Sequence, residues 1–345
     1  MPAIHRIRPH LAAAGLGLGG AAVAALLGVP AGPLIGATLA VAAAAALRLR
    51  LAVAPRLRDL AFALIGVSLG AGVDADILAQ LPAWSVSLAL LAVALVATVL
   101  TGRLLLTRLF GHDGDTAVLA SSPGTMSNAI AIALDGRGDA TAVMALQLMR
   151  LLILVMLVPP LAIALDAPQA GTAPSPDMPL PMLAALVLLA LGLGRLGARR
   201  GIPAACLLGG MLVSAGSHVS GLATGTAPGW AIFLGFAITG TVLGTRLSSV
   251  KPKALWSLSG AGAAVVATAL GLSLGFAFIA HLLTGLPFGQ LWVAYAPGGV
   301  EAMAAIGLAL GYDPAFVAAH HFARILILVG LMPILLGKQS RKPAS

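Results

Sequence analysis

Charge is the scarcest property of this chain. Asp, Glu, Lys and Arg make up 9% of its 345 residues, and only 11 residues are acidic. A soluble domain carries about 25% charged residues, so a water-facing surface of ordinary extent is excluded. Cysteine occurs once, at Cys206, which excludes a disulfide framework and any cysteine-rich metal centre. Long polar segments are missing too, with loops of at most about a dozen residues. That leaves no room for a helix-turn-helix, a zinc finger or a separate soluble domain, so direct nucleic-acid binding is not expected. What is present is apolar: 59% hydrophobic residues and a mean hydropathy of +1.03. The composition is that of an all-α polytopic membrane protein. The isoelectric point near 11.0 then reads as topology, because the basic residues sit in short clusters between apolar runs.

The chain says the same thing twice. Residues 120–159 align without a gap on residues 294–333, and 16 of 40 positions are identical. Pro123 and Pro297, Gly124 and Gly298, Asp139 and Asp313, Arg150 and Arg324, and Pro159 and Pro333 form the shared skeleton. The offset of 174 is about half the length, so the unit is a duplicated half and not a short solenoid repeat. Fainter echoes extend the match. Gly28-Val29-Pro30-Ala31 answers Gly201-Ile202-Pro203-Ala204, and Gly66-Val67-Ser68-Leu69-Gly70 answers Gly240-Thr241-Val242-Leu243-Gly244. The first echo makes the apolar run behind Arg6 and Arg8 the first helix of a repeat and not a cleaved signal. The expected organisation is a first membrane repeat over 1–165, a linker over 166–178 rich in Pro, Ala and Ser, and a second repeat over 179–345.

A membrane helix needs about 20 apolar residues. Candidate runs are 11–29, 31–47, 60–73, 83–100 and 142–165 in the first half, and 182–196, 203–219, 230–247, 254–283 and 314–336 in the second. Between the fourth and fifth run of each half lies a Pro-Gly-marked apolar stretch, 118–134 and 292–310. If both stretches are re-entrant hairpins, each half has five spans. Eighteen of the 20 Lys and Arg residues, from Arg6 and Arg8 through Arg48, Arg103, Arg137, Arg199 and Lys251 to Lys342, then fall inside. Asp74, Asp76, Asp166 and Asp177 fall outside. If both stretches span, Arg137 and six basic residues of the second half move outside, which the positive-inside rule disfavours. Two inverted repeats of about five helices, each with a re-entrant or broken hairpin, are therefore expected, a layout of secondary transporters. Both termini would be cytoplasmic and the linker around Gln169 outside.

The paired Ser-Pro-Gly-Thr and Ala-Pro-Gly-Gly motifs, the Asp-Pro-Ala-Phe-Val-Ala-Ala-His-His run at 313–321 and the following Arg-Ile-Leu resemble the membrane AbrB family, over essentially the whole chain. The resemblance implies a bacterial inner-membrane protein. Two labels travel with that family, regulator of gene expression and ammonia monooxygenase. The layout is also similar to citrate- and glutamate-type symporters, an analogy that does not fix a substrate.

Pro-Gly at a hairpin tip lets the backbone turn tightly and approach a ligand. Irregular backbone at membrane depth is tolerated where it is buried or lines a wet cavity. The helix that follows aims its free N–H groups into that cavity, where they favour an anion. Candidate substrate-binding residues are therefore Pro123, Gly124, Thr125, Ser127 and Asn128 in one half, and Pro297, Gly298, Gly299 and Glu301 in the other. Arg150 and Arg324 join them. Each lies 11 residues beyond a capping Asp, a rise of ~16 Å that reaches roughly mid-membrane. A cation there is costly unless partnered. Two readings stand: a structural clamp on hairpin carbonyls, or a contact to an anionic solute. Glu301, the counterpart of Ser127, is expected to neutralise Arg324 and leave Arg150 facing Ser127 and Asn128. Glu301, His320 and His321 are candidates for coupling to a proton or sodium ion. No metal site is expected, since the two adjacent histidines diverge on a helix and no further ligand completes a set. No cofactor is expected either.

Three functions compete. A transporter or exporter of a small, anionic solute, with H+ or Na+ as candidate coupling ion, rests on the repeats and the intramembrane charges. A membrane sensor that acts indirectly on gene expression is the alternative. An enzyme is not expected, because the seven histidines are mostly scattered. Beyond the solute and the lipid bilayer no partner is implied, and a homo-oligomer is left open.

Overall fold

The computed structural model describes residues 2–73, 77–124, 126–165 and 176–336. Thr125, Asp74, Asp76, Asp166, Lys338, Arg341, Lys342 and the linker around Gln169 lie outside the described residues, as do the side chains of Arg6 and Ser127. The described chain is helical. The first half holds α1 (Pro2–Leu26), α2 (Gly32–Ala46), α3 (Pro55–Gly70), α4 (Ile77–Phe110), α5 (Gly114–Ser121), α6 (Met126–Leu134) and α7 (Ala140–Leu165). The second half holds α8 (Leu180–Arg199), α9 (Ala205–Val219), α10 (Gly229–Thr245), α11 (Pro252–Ser257), α12 (Ser259–Thr284), α13 (Phe288–Tyr295), α14 (Val300–Ala309) and α15 (Pro314–Leu336). The starts of α5, α6 and α7 recur at α13, α14 and α15 after the 174-residue offset.

Among the described residues, seven helices are long and apolar enough to cross a membrane: those at Arg8–Leu26, Pro82–Phe110, Ala140–Leu165, Leu180–Arg199, Gly229–Ser249, Ser259–Thr284 and Pro314–Leu336. The chain is a multi-pass membrane protein on that ground. Three of the ten expected runs fall short of that length. α2 and α9 have 15 residues each and α3 has 16. At 1.5 Å per residue they span ~23 Å, less than a ~30 Å hydrocarbon layer. The run at 83–100 is the middle of a longer helix, so Arg103 and Arg108 belong to the end of α4 and not to a loop. The run at 254–283 is interrupted at Leu258, between α11 and α12. Each expected Pro-Gly stretch forms two short helices around an irregular turn, which the described residues show at 122–124 and 296–299.

The two halves interlock by exchange. α3 packs on α9 and α2 on α10, so each half's second helix lies on the other half's third. α1 covers α2 and α10, while α8 covers α9 and α3. Around the short helices, α4 packs on α12 and α15, and α12 on α7. Glycines on both helices, Gly66 of the echoed stretch and Gly210, explain the first contact. A Cβ at Gly66 would overlap the carbonyl of Leu207, and one at Gly210 would lie 2.5 Å from the carbonyl of Ala63. Small residues let two helix backbones approach this closely, the usual device of membrane helix pairs. Gly210→Ala is accordingly expected to cost about 2 kcal/mol by overpacking, read as a lowered melting temperature. An unchanged melting temperature would show that α3 and α9 have room to part.

Candidate functional site

The site grows from equivalent hydrogen bonds in the two halves. Asp139 and Asp313 cap their helices as expected. Asp139 Oδ1 accepts from the N–H groups of Thr141 and Ala142, and Asp313 Oδ1 from those of Ala315 and Phe316. Each cap is held from the first short helix of its pair, α5 or α13: Asp139 N–H donates to Thr116 Oγ1 at 2.7 Å, and Asp313 N–H to Gln290 Oε1 at 3.0 Å. Thr116 and Gln290 are themselves one repeat apart.

One turn before each arginine the pattern continues. Gln147 Nε2 donates to Leu119 O at 2.7 Å, and His321 Nε2 donates to Val293 O at 2.9 Å. The carbonyl can only accept, so His321 carries its proton on Nε2 and stands where the first half has an amide. Both arginines then take the carbonyls at the ends of the short helices. Arg150 Nη1 donates to Ala120 O at 3.3 Å and to Ser122 O at 3.2 Å, and its Nη2 to Gln147 Oε1 at 3.3 Å. Arg324 Nη1 donates to Ala296 O at 2.7 Å, and its Nη2 donates to Gly298 O. Ala120, Ser122 and Ala296 lie at the ends of the short helices, where carbonyls lose their helical partners, although Ala296 O also accepts from the N–H of Gly298 at 2.7 Å. Gly298 O belongs to the turn itself, and a guanidinium can serve two such acceptors at once.

The two clamps differ in tightness. Arg324 is fully buried and makes short bonds, whereas the Arg150 bonds are near the upper limit of hydrogen-bond distance. Arg150 also borders a cavity of about 420 Å³, which Arg324 does not line. The Nε of both arginines is buried without a hydrogen-bond partner among the described residues. Arg324 touches the first turn as well. A Cβ on Gly124, whose φ is +84°, would sit 3.1 Å from its Nε and Nη2. Gly124 is thus required twice, by its left-handed backbone and by the guanidinium against it.

The cavity brings together Gly124, Asn128 and Arg150 from one half and Pro297, Gly298, Gly299 and Glu301 from the other. Its size falls within the ~300–1,000 Å³ of small-molecule sites. Pro123 is buried beside it. The expected Glu301–Arg324 pair does not form. Glu301 lies in the first turn of α14, 19% exposed, and its nearest cation is Arg246 at 4.0 Å. The reason is geometric: Arg324 is drawn into the turn by two carbonyls, while Glu301 points into the cavity. His320 is elsewhere. Its Nδ1 donates to Phe316 O at 2.9 Å and its Nε2 meets Ser87 Oγ at 2.9 Å, in a buried group completed by Tyr295. Neither histidine lines the cavity.

Gln147 and Arg246 line it and were not expected from the sequence. A signal existed for each. Gln147 aligns with His321, already singled out, and Arg246 aligns with Gly72, so the charged pair Arg246–Glu301 appears in one half only. The stretch from Gly201 to Ala204, matched earlier to residues 28–31, also borders the cavity through Gly201, Pro203 and Ala204. Ala204 and its counterpart Ala31 both adopt a left-handed φ of +52°.

The family described as transition state regulatory protein AbrB matches residues 33–338. The chain belongs to the AbrB family. Among relatives of this AbrB-family chain, a Bacillus subtilis (strain 168) protein named "Uncharacterized protein YhjN" is 26% identical over 290 residues, 78% of this chain and 75% of that protein. An Escherichia coli (strain K12) protein named "Putative regulator AbrB" is 25% identical over 281 residues, 77% of this chain and 78% of that protein.

Proposed function

We propose that this AbrB-family protein is a secondary transporter or exporter of a small anionic solute, and not an enzyme, with the solute held between the two Pro-Gly turns. The observation that carries the reading is the convergence of both turns on one cavity beside Arg150. That guanidinium lines the cavity and makes only long bonds to the protein, so its amino groups can turn to a carboxylate. The start of α6 faces the same space without an acidic residue in its first turn, whereas the start of α14 is already balanced by Glu301. An anion is therefore better served by the first turn than the second. A thermal-shift screen of small carboxylates on detergent-purified protein, followed by flux into proteoliposomes, tests the reading. No stabilisation by any carboxylate and no flux would overturn it. The relatives' regulator name favours a sensor at the same cavity as the second reading, and binding without flux would decide for it.

The membrane arrangement belongs to the same proposal. Arg137 follows α6, yet it pairs with Asp115 at the start of α5 at 3.0 Å and donates to Leu336 O at the end of α15. This supports a hairpin that returns to its own side. Loops 47–52 and 248–253 also share one cleft, as a common cytoplasmic end requires. In a Cys206→Ser background, Arg200→Cys is expected to label only after permeabilisation and Ser220→Cys in intact cells. The reverse pattern would reject two inverted five-span halves.

A further inference from the structure

Two basic loops, one from each half, meet away from the solute cavity and form a cleft of about 990 Å³. Arg48 and Arg50 come from the loop after α2, and Lys251 and Lys253 from the segment after α10. No acidic residue lines the cleft, and none of the four makes an ion pair among the described residues. The walls are built. Ala52 N–H donates to Pro9 O at 3.3 Å, the His10 ring bonds Ala52 O at 3.0 Å, and Arg48 is held at a φ of +64°.

A second, apolar groove of about 280 Å³ continues from the cleft, sharing Ala45, Val250 and Pro252 with it. Leu255 and Trp256 extend this groove, and Trp256 is 79% exposed beside the two lysines. Four like charges gathered at one point repel unless an anion sits among them. A free inorganic anion would use the basic cleft and leave the groove empty. A zwitterionic lipid would bring an ammonium into the same repulsion. One ligand uses both parts: a phosphodiester headgroup among the cations, acyl chains along Leu255, and an interfacial indole at headgroup depth.

We infer that this cleft and groove form a binding site for an acidic phospholipid that ties the loop after α2 to the segment leading into α11. The inference does not rest on the solute reading, since no residue of the central cavity takes part. Each cation near an anionic headgroup is worth ~1 kcal/mol, or roughly fivefold.

The test uses the full chain in mild detergent with phosphatidylglycerol, phosphatidylcholine and inorganic phosphate as probes. Lipid retention is read by native mass spectrometry. Quenching by brominated phosphatidylglycerol is read as the difference between wild type and Trp256→Phe. Wild type is expected to retain phosphatidylglycerol roughly 600-fold better than phosphatidylcholine, with quenching at Trp256. Lys251→Gln/Lys253→Gln should lose roughly 30-fold of that retention, and adding Arg48→Gln/Arg50→Gln should remove the preference and the quenching. Arg195→Gln/Arg199→Gln/Arg200→Gln, a second basic cluster, should retain both. The inference is overturned if the two lipids are retained equally or if the preference is undiminished in the Lys251/Lys253 variant. It is equally overturned if inorganic phosphate displaces the lipid at matched concentration, or if Trp256 is not quenched.

Discussion

Arg324→Gln is expected to lower the stability of the detergent-purified protein by about 3 kcal/mol or more. The guanidinium is fully buried and serves the carbonyls of Ala296 and Gly298. Glutamine is too short to reach both. Ala296 O keeps the N–H of Gly298, so the loss falls on Gly298 O, where an unmade buried acceptor costs ~1–3 kcal/mol, and on the charge-assisted bonds themselves. The same change opens a void against Gly124, because Arg324 bridges the two turns. Arg324→Lys should recover part of the loss, since one ammonium can satisfy one carbonyl. Glu301→Gln separates this account from an ion-pair account. The nearest charge contact of Glu301 is 4.0 Å long and partly exposed, so its loss should cost less than ~1 kcal/mol. Melting temperatures of the three variants, measured side by side, check the prediction. Equal destabilisation by Glu301→Gln and Arg324→Gln would restore the carboxylate as the arginine's partner.

Arg150→Gln is expected to leave a folded protein that has lost solute binding, on the order of 100-fold in affinity. Its three bonds lie at 3.2–3.3 Å and one of them goes to the neighbouring Gln147. Less folding energy is therefore tied to it than to Arg324, and more of its hydrogen-bonding capacity faces the cavity. Ser127→Glu copies the second half into the first and should place a carboxylate where the solute anion sits, so it should inhibit competitively. Carboxylate binding by calorimetry and flux in proteoliposomes are the measurements. Undiminished affinity in Arg150→Gln would remove the arginine from the site. A loss of folding equal to that in Arg324→Gln would make both arginines structural clamps.

The signals that identified the site were those the repeat displayed on its surface. The Pro-Gly turns, the capping Asp139 and Asp313, and the arginines 11 residues later are periodic in sequence, and the equivalent hydrogen bonds follow them. Gln147 and His321 show the limit of that method. They have unrelated chemistry, and only the carbonyls they bond, Leu119 and Val293, show that they hold one position. Arg246 is less legible still. Its sequence setting is a basic loop beyond α10, and nothing local ties it to Glu301, 55 positions away.

By itself the sequence determined the membrane class, the duplication, the family and the residues from which the two turns are made. Composition and periodicity carry these, because the cost of burying charge or breaking a helix is paid locally. Tertiary structure alone decided which carbonyls the arginines serve, that Glu301 faces Arg246 and not Arg324, and that α2 and α3 of one half pair with α10 and α9 of the other. Those choices depend on distance between segments far apart in the chain. A buried guanidinium takes whichever acceptors the fold brings within about 3 Å, and no local pattern states which those are.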